Sequence, residues 1–424
     1  GKLEVGDADA GEAVFVAQAG TAGSYGTFSI DASGNWTYTA ANGQAAIQQL
    51  GAGDTLTETF TVATADGTTE TVTITIAGTN DIPVIGGVLT AVVTEDGSSP
   101  NLVATGVLTI SDVDAGEAAF QPQTVTDANG TFTINAAGNW NYTVSNSLPA
   151  IQALGAGAEL VVTYTVLALD GTEQAITITI VGVNDGAVIG GVSTGSVTEA
   201  DGPLTASGAL TVSDVDTGEA VFEEQAGTAG LYGAFSIDED GAWSYTADGT
   251  QAAIQQLGVG ETLTETFTVA TADGTTQVVT ITIVGSNDVP VVAGAVTAAA
   301  GEDDAGFTVD LLAGASDVDA SDVLTVTGLT LVSGDAAGVT VSLDGNSLSV
   351  DPSAYQYLGA GDVEVITYSY TVSDGQGGSV AQTATITITG SNDGAVITGT
   401  KTGVVTEDAS TPNLEAAGKL EGGD

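Results

Sequence analysis

The stretch Thr71-Val72-Thr73-Ile74-Thr75-Ile76-Ala77-Gly78-Thr79-Asn80-Asp81 reveals how the chain is organised. Its first half alternates threonine with an apolar residue, which predicts a strand with one buried face. A Gly-x-Asn-Asp tetrad then ends the strand, and the same tetrad returns at residues 182–185, 285–288 and 390–393. Recurrence at intervals of roughly 100 residues predicts a row of small domains, one per period.

The tetrads divide the chain into an incomplete repeat 1 (residues 1–81), the full repeats 2 (82–185), 3 (186–288) and 4 (289–393), and the start of another repeat (394–424). Periodicity and turn signals in repeat 2 predict six strands and one short helical turn. The strands are expected at 82–94, 102–110, 131–134, 140–144, 159–169 and 174–181, and the turn at 149–154. About seven short strands per 100 residues indicate an all-β fold, a tandem array of Ig-like β-sandwich domains.

An aromatic pair occupies the same place in each of the first three repeats. The pairs are Trp36 and Tyr38, Trp140 and Tyr142, and Trp243 and Tyr245. Spacing of two puts both rings on one face of a strand, so we expect them to pack in the core or on a sheet face and not to form a sugar-binding platform. Repeat 4 has no tryptophan but keeps the acidic motifs near its ends.

The composition excludes several classes of partner. The chain carries 54 Asp and Glu against 3 Lys and Arg, a formal net charge of −51. Phosphate-backbone binding needs clustered cations, so a nucleic-acid partner is excluded. No run is apolar enough to insert into a membrane, and the charge opposes docking on anionic lipid. With no cysteine, no disulfide braces the domains.

Strand direction assigns each acidic turn to one end of its repeat. Antiparallel strands reverse at every turn, so successive turns alternate between the top, where the chain comes in, and the bottom, where it leaves. In repeat 2, Glu95 and Asp96 then lie at the bottom, whereas Asp112, Asp114 and Asp170 lie at the top. The bottom of one repeat and the top of the next should therefore bring their carboxylates together at a junction.

Each junction is expected to gather oxygen ligands from two repeats and from the Asn-Asp linker between them. The junction of repeats 1 and 2 offers Asp54, Asn80, Asp81, Asp112, Asp114 and Asp170. The junction of repeats 2 and 3 offers Glu95, Asp96, Glu159, Asn184, Asp185, Asp214, Asp216 and Asp273, with Glu219 nearby. The junction of repeats 3 and 4 offers Glu199, Asp201, Glu261, Asn287, Asp288, Asp317, Asp319 and Asp374. The bottom of repeat 4 offers Glu302, Asp362, Asn392 and Asp393.

These sets predict Ca²⁺ at the junctions. So many carboxylates would repel one another without a cation, and Ca²⁺ takes 6–8 oxygen ligands of these kinds. Mg²⁺ demands a tighter octahedral geometry, and the absence of His and Cys disfavours zinc and copper. Any single Asp-Gly hairpin is explained equally well by ordinary turn chemistry. The convergence of separate motifs is what favours calcium.

The order of the motifs resembles a cadherin domain. Thr64-Ala65-Asp66-Gly67 and Asn80-Asp81-Ile82-Pro83 match its Ala-x-Asp-Gly and Asn-Asp-x-Pro elements. Residues 93–96, 108–117 and 138–140 are more specifically similar to the VCBS repeats of large bacterial RTX-type adhesins, and repeat 4 resembles the related bacterial cadherin-like repeats. The resemblance implies cadherin-like sandwiches that form a calcium-dependent extender at the bacterial cell surface, exported unfolded by a type I route.

Three functions stay open at this point. The leading hypothesis is a stalk, in which Ca²⁺ stiffens a row of sandwiches that projects another module for adhesion or biofilm structure. The second is a self-assembling fibre or surface layer of the same units, and the third is an adhesin with its own glycan or surface ligand. An enzyme is disfavoured, because the carboxylates belong to repeated turns and not to one unique cleft.

The two ends of the chain overlap in sequence. Gly418-Lys419-Leu420-Glu421 repeats Gly1-Lys2-Leu3-Glu4, and residues 395–406, followed by Glu407-Asp408, correspond to the first strand that repeat 1 lacks. We expect this tail to pack on residues 1–81 of a neighbouring copy. That copy would be either the continuation of a longer repetitive chain or a separate chain joined head to tail by strand donation.

Overall fold

The structure is a computed structural model, and it describes residues 1–407 and 414–423. The chain separates into two compact units. The first comprises Gly1–Val188 together with Ser213–Ala220, and the second comprises Ile189–Val212 together with the chain from Val221 onward. No helix in the described residues has the length and apolar character needed to cross a membrane.

Repeat 2 is a sandwich of a five-stranded and a three-stranded sheet. In spatial order the larger sheet contains Val84–Gly87, Asn101–Ser111, Asn139–Ser145, Gly130–Ile134 and Gln123–Asp127. The smaller sheet contains Glu159–Leu167, Glu173–Val181 and Thr90–Thr94. A single helical turn, Pro149–Gln152, begins at a proline as the sequence indicates.

The first strand of repeat 2 corrects the prediction of one continuous strand over residues 82–94. Val84–Gly87 pairs antiparallel with Asn101–Ser111, whereas Thr90–Thr94 pairs parallel with Glu173–Val181 in the other sheet. Gly87 has φ of 96°, a left-handed conformation that only glycine adopts at little cost, and it ends the first segment. The strand therefore crosses from one sheet to the other.

The sequence pattern also misses one strand. Gln123–Asp127 lies at an edge of the larger sheet, and most of its residues are exposed. A solvent-exposed edge strand has no alternation of buried and exposed residues, so the hydrophobic periodicity of the sequence does not predict it.

Repeat 3 has the same element order as repeat 2, and repeat 1 has the last five strands and the helical turn of that order. Repeat 1 contains Gln18–Ala22, Gly26–Ile30, Trp36–Ala40, the helical turn Ala45–Gln48, Thr55–Ala63 and Thr69–Ala77. Repeat 3 contains Val188–Gly191, Thr194–Thr198, Pro203–Ser213, Gln225–Ala229, Gly233–Ile237, Ala242–Asp248, the helical turn Ala252–Gln255, Thr262–Ala270 and Thr276–Val284.

Repeat 4 has a different strand arrangement around the same kind of core. Its four-stranded sheet contains Val296–Gly301, Ser379–Thr389, Val363–Ser373 and Thr325–Ser333, and its three-stranded sheet contains Phe307–Asp310, Ser347–Val350 and Val339–Val341. A small pair joins Val291–Val292 to Ala315–Ser316, and a 3₁₀ turn spans Pro352–Tyr355.

The paired aromatic residues lie in the cores, as the two-residue spacing predicts. Trp140 and Trp243 are each 2% exposed, and Tyr142 and Tyr245 are fully buried. The indole Nε1 of Trp140 donates a hydrogen bond to the carbonyl of Val88, 3.0 Å away, at the point where the first strand changes sheets. The tryptophan therefore both fills the core and holds the crossover.

The tail forms a strand pair of its own. Val396–Gly399 pairs antiparallel with Leu420–Gly423, in the same register that joins Val84–Gly87 to Asn101–Ser111 in repeat 2. Asp408 of the predicted tail lies outside the described residues. The packing of the tail on another copy of the chain stays a prediction.

Candidate metal centre

Three clusters of acidic residues lie where the chain passes from one repeat to the next, and we name each after its buried aspartate. The Asp114 site and the Asp216 site belong to the first compact unit, and the Asp319 site belongs to the second. Each of the three aspartates is 2% exposed. Each follows a second aspartate by two residues in an Asp-x-Asp turn, so that its own backbone N–H donates to the earlier carboxylate at 2.9–3.1 Å.

The linker aspartate docks on the buried aspartate at every site. The backbone N–H of Asp81 donates to Oδ2 of Asp114 at 2.8 Å. Asp185 makes the same bond to Asp216, and Asp288 makes it to Asp319, each at 2.8 Å. The loop after the Asp-x-Asp turn is also fixed, because a backbone N–H of this loop donates to the residue that directly follows the helical turn of the preceding repeat. These donors are Ala115, Thr217 and Ala320, and their acceptors are the carbonyls of Gln49, Ala153 and Gln256.

Linker asparagines connect the top hairpins to the same sites. Nδ2 of Asn80 donates to Asp170 at 3.2 Å, and Nδ2 of Asn287 donates to Asp374 at 3.0 Å. The hairpin that sequence reasoning placed at the top of a repeat therefore does reach the linker at both of these sites.

The bottom of the preceding repeat contributes a buried glutamate at two sites. Glu95 at the Asp216 site is 2% exposed, and Glu199 at the Asp319 site is 6% exposed. Burial raises the pKa of Glu95, and the negative charges of Asp185 and Asp216 raise it further. The pKa of Glu199 is raised in the same way by burial and by the charges of Asp288 and Asp319. At these two sites, carboxylates from both sides of the repeat boundary therefore repel one another.

Other members of the clusters show the same mutual repulsion. Burial and then the charge of Asp216 raise the pKa of Asp185, and burial and then Asp319 raise that of Asp288. At the Asp114 site, burial and the charges of Asp114 and Asp112 raise the pKa of Glu117. No described lysine lies among these groups, since the ion pairs of the described chain are Lys2 with Glu4 and Lys419 with Glu421.

The clusters contain buried oxygens that have no hydrogen-bond partner in the described residues. They are Asp112 Oδ2, Asp114 Oδ1 and Glu117 Oε2; Asp185 Oδ2, Asp214 Oδ2 and Asp216 Oδ1; and Asn287 Oδ1, Asp288 Oδ2, Asp317 Oδ2, Asp319 Oδ1 and Asp322 Oδ2. A buried charge with no partner costs several kcal/mol, so such groups need a cation. The donors are all hard oxygens, which is the ligand chemistry that Ca²⁺ requires. The residues therefore fit a calcium ion at each site.

The Asp319 site is the tightest of the three. Asp317, Asp319 and Asp322 each offer a carboxylate oxygen, and these three atoms lie within 4.8 Å of one another. Burial raises the pKa of Asp322, and the charges of Asp319 and Asp317 add to the shift. At the other two sites the residue in this position is Glu117 or Glu219, which has a longer side chain.

Some predicted ligands lie at the margin of these sites. Asp96 is exposed and accepts a hydrogen bond from Nδ2 of Asn146. Asp201 is exposed as well. The negative charge of each still helps to raise the pKa of the nearby glutamate, Glu95 or Glu199. Asp54 is one of several charges that raise the pKa of Glu117. Glu261 adds to the shift of Asp322, and its own Oε2 accepts a bond from the N–H of Gly258 at 3.2 Å.

Other predicted ligands have local roles in the structure. Glu159 is exposed, and the position that Asp54 and Glu261 occupy in their repeats is taken in repeat 2 by Ala158. The carboxylate of Asp273 accepts bonds from Thr271 and Thr275 within its own turn. Nδ2 of Asn184 donates to the carbonyl of Asp185 at 3.0 Å. As ligands, Glu159, Asp273 and Asn184 stay predictions.

The bottom of repeat 4 repeats part of the arrangement. Glu302 is fully buried, its Oε1 accepts a bond from the N–H of Ser391, and its Oε2 has no partner in the described residues. Asp362 accepts from the N–H of Gly359 at 3.3 Å, whereas Asn392 and Asp393 are exposed. These four residues stay predicted ligands of one further site.

Sequence reasoning left three groups out of the predicted ligand sets. Glu117 and Asp322 each add a buried oxygen that has no partner in the described residues. The sequence could have indicated them, because a carboxylate follows each Asp-x-Asp motif at a constant distance. Asp7, Asp9 and Glu12 carry the same motif at the top of repeat 1, where they are exposed and their carboxylate oxygens lie within 4.8 Å of one another. The third group is a pair of glutamines, Gln152 and Gln255, which contact Glu95 and Glu199.

Comparison with known proteins gives matches to solved structures at low sequence identity. The Protocadherin GammaB4 extracellular domain is 12% identical over 99% of this chain and 71% of that one, with a TM-score of 0.45. Protocadherin Gamma B2 extracellular cadherin domains 1–5 are 14% identical over 92% and 76%, with a TM-score of 0.43. Mouse Cadherin-23 EC22-24 is 14% identical over 74% and 100%, with a TM-score of 0.40. A search of curated protein sequences finds no match.

Family models match every full repeat. The bacterial cadherin-like domain matches residues 1–78, 80–182 and 184–285, and the cadherin-like domain matches residues 286–389. Domains of this kind are extracellular modules for adhesion or structure, and they generally bind Ca²⁺. The prediction of an all-β tandem cadherin-like array is confirmed, whereas the narrower resemblance to VCBS repeats of RTX-type adhesins stays a prediction. Because one model matches more than half of the chain, the protein belongs to the bacterial cadherin-like domain family.

Proposed function

We infer that Ca²⁺ occupies the Asp114, Asp216 and Asp319 sites and holds consecutive repeats together. The observation that carries this proposal is the set of buried carboxylate oxygens that have no partner in the described residues. At the Asp216 and Asp319 sites they come from both sides of a repeat boundary, and at the Asp114 site they come from the loop of repeat 2 on which the linker of repeat 1 docks. The ion would be held by Asp81, Asp112, Asp114 and Glu117 at the first site, by Glu95, Asp185, Asp214 and Asp216 at the second, and by Glu199, Asp288, Asp317, Asp319 and Asp322 at the third.

The chemistry that calcium supplies here is charge neutralisation. Four or five carboxylates form each of these sites, and a divalent ion that binds only the folded arrangement stabilises it by mass action. The hydrogen bonds from the linker N–H groups leave the remaining carboxylate oxygens of the aspartates available to the ion. Loss of the ion would leave like charges facing each other across the linker, which favours bending or opening of that junction.

The function that this supports is a calcium-stiffened extender, or stalk, of a bacterial surface adhesin or filament that serves adhesion or biofilm structure. Three properties support it: the same site recurs at successive repeat boundaries, cadherin-like domains are adhesion or structural modules, and the chain has the charge of a protein that works with bound cations. The proposed place of action is outside the cell, at the bacterial surface.

Substitution of one buried ligand tests the proposal. In Asp319→Asn the amide oxygen still accepts the N–H of Asp288, but one negative ligand of the site is lost. We expect calcium affinity at that site to fall about tenfold or more, a change of about 1.4 kcal/mol for each factor of ten. Without calcium the same variant should be at least as stable as the parent, because one repulsive charge is gone. Calorimetric titration and thermal unfolding of the full chain measure both effects.

Asp240→Asn is the matched control. Asp240 is an exposed aspartate of repeat 3, remote in sequence from every junction motif, and the substitution removes the same charge. Its titration should match that of the parent protein. Equal calcium affinity in the Asp319→Asn variant and the parent, or absence of calcium binding by the parent, would refute the proposed site.

A further inference from the structure

Two buried glutamates of the calcium sites are held by the same pair of neutral donors. Nε2 of Gln152 donates to Oε1 of Glu95 at 2.8 Å, and the linker N–H of Val183 donates to Oε2 at 3.2 Å. In repeat 3, Gln255 donates to Oε1 of Glu199 at 3.1 Å, and the N–H of Ser286 donates to Oε2 at 3.0 Å. Both carboxylates are therefore fixed by uncharged groups.

The glutamine occupies a special place in its repeat. Gln152 and Gln255 are the last residues of the helical turns Pro149–Gln152 and Ala252–Gln255. The very next carbonyl, that of Ala153 or Gln256, accepts the N–H of the loop that follows the Asp-x-Asp turn of the next repeat. One end of a short helix therefore touches the glutamate of its own repeat through a side chain and the following repeat through the backbone.

We propose that Gln152 and Gln255 are positioning residues that set the calcium affinity of the Asp216 and Asp319 sites. Each amide holds its glutamate in the orientation that faces the linker aspartate. The inference rests on the proposed function, because it assigns the role of residues around the calcium sites and not the sites themselves. Neither residue is a calcium ligand in this assignment.

An amide suits this role better than a cationic side chain. A lysine or arginine in the same place would satisfy the glutamate but would also neutralise it and repel a second cation. The amide donates one hydrogen bond and leaves the full negative charge for the ion. Because partners that orient metal ligands typically account for 10–100-fold in metal affinity, the effect is large enough to measure.

Two of the repeats provide contrasts. In repeat 4 the corresponding Gln356 donates to the backbone carbonyl of Glu302 at 3.1 Å and to Asp303 at 3.3 Å, so it does not hold the Glu302 carboxylate. In repeat 1, Gln48 ends the helical turn, and the described residues of that repeat include no glutamate equivalent to Glu95. Among the described residues no such pair contacts the Asp114 site, so this site serves as an internal reference.

The test replaces each glutamine by methionine in the full chain. Methionine keeps the length and volume of the side chain but cannot donate a hydrogen bond. We expect the Gln152→Met, Gln255→Met double variant to show a 10–100-fold loss of calcium affinity for the ions of two junctions, while the ions of the third bind as in the parent. Calorimetric titration of calcium into the chelator-treated protein resolves the two classes.

Gln256→Ala is the matched control, since Gln256 is an exposed glutamine beside Gln255 and contacts the next repeat only through its backbone. Repeat 2 already has alanine in this position, at Ala153. This variant should bind calcium as the parent does. Intrinsic fluorescence of Trp140 and Trp243 in chelator verifies that every variant is folded before the titration.

A second readout does not involve bound calcium. In chelator, the amide of Ser286 should exchange with solvent faster in Gln255→Met than in the parent, because the Glu199 carboxylate that accepts its hydrogen bond is no longer held. Unchanged affinity together with unchanged exchange at Ser286 would overturn the inference while leaving the calcium sites in place. Absence of calcium binding by the parent would overturn the proposed function and this inference with it.

Discussion

Removal of calcium is expected to lower the melting temperature of the protein strongly. An ion at a concentration 100 times its dissociation constant stabilises a site by about 2.7 kcal/mol. Extracellular modules bind Ca²⁺ with dissociation constants on the order of 10⁻⁴–10⁻³ M, so about 10 mM calcium reaches that ratio for a site at the tight end of the range. For a repeat of this size the loss of one site corresponds to a fall of roughly 10–20 °C. Thermal unfolding in calcium and in chelator measures it.

Two properties of the molecule make the effect large. There is no disulfide to brace a repeat when the ion is gone, since the chain has no cysteine. Within each site the buried carboxylates, Glu95 with Asp216 and Glu199 with Asp319, would repel each other with no counter-charge. Small-angle scattering in chelator should accordingly report a more flexible particle than in calcium.

The control is sodium chloride at the same ionic strength as the calcium solution. Salt screens surface charges over about 10 Å at 0.1 M, but it screens buried groups much less. Sodium chloride should therefore recover only a small part of the melting temperature. If sodium chloride restored the melting temperature as fully as calcium does, general charge screening would explain the stability. That result would contradict specific calcium binding at the junctions.

Replacement of Trp243 by alanine is expected to destabilise repeat 3 by about 3–5 kcal/mol. The side chain is 2% exposed, it packs 6.1 Å from Phe235 between ring centroids, and its Nε1 donates to the carbonyl of Val192 at 2.7 Å. Alanine would leave a cavity and would release the crossover of the first strand between the sheets. Chemical unfolding of the full chain, followed by circular dichroism, measures the loss.

Trp36→Ala is the matched control for this prediction. Trp36 has the same position in repeat 1, but it is only half-buried. The cost should be clearly smaller than for Trp243. Equal costs at the two positions would contradict the assignment of Trp243 to a closed core.

The sequence was sufficient for the architecture because the relevant signals are local and repeated. Alternation at residues 71–76 marks a strand, spacing of two places Trp140 and Tyr142 on one face, and the Asp-x-Asp turns mark one end of each repeat. Four copies of the pattern reinforce each other. A single copy would leave Asp114 indistinguishable from an ordinary turn residue.

The rest depends on contacts between distant parts of the chain. The crossover at Gly87 is set by pairing with two different sheets, and alternation along one strand carries no information about it. Glu159 stands one residue after the position that Asp54 and Glu261 occupy in their repeats, which is Ala158 in repeat 2. Gln152 meets Glu95 only after the chain has folded, and a glutamine in a short helical turn gives no signal of that contact.

Anomalous diffraction from crystals grown in calcium locates the ions between consecutive repeats. We expect anomalous peaks beside Asp114, Asp216 and Asp319, each about 2.3–2.6 Å from carboxylate oxygens of both flanking repeats. Peaks confined to exposed surface carboxylates, with none at these three aspartates, would contradict calcium binding between consecutive repeats.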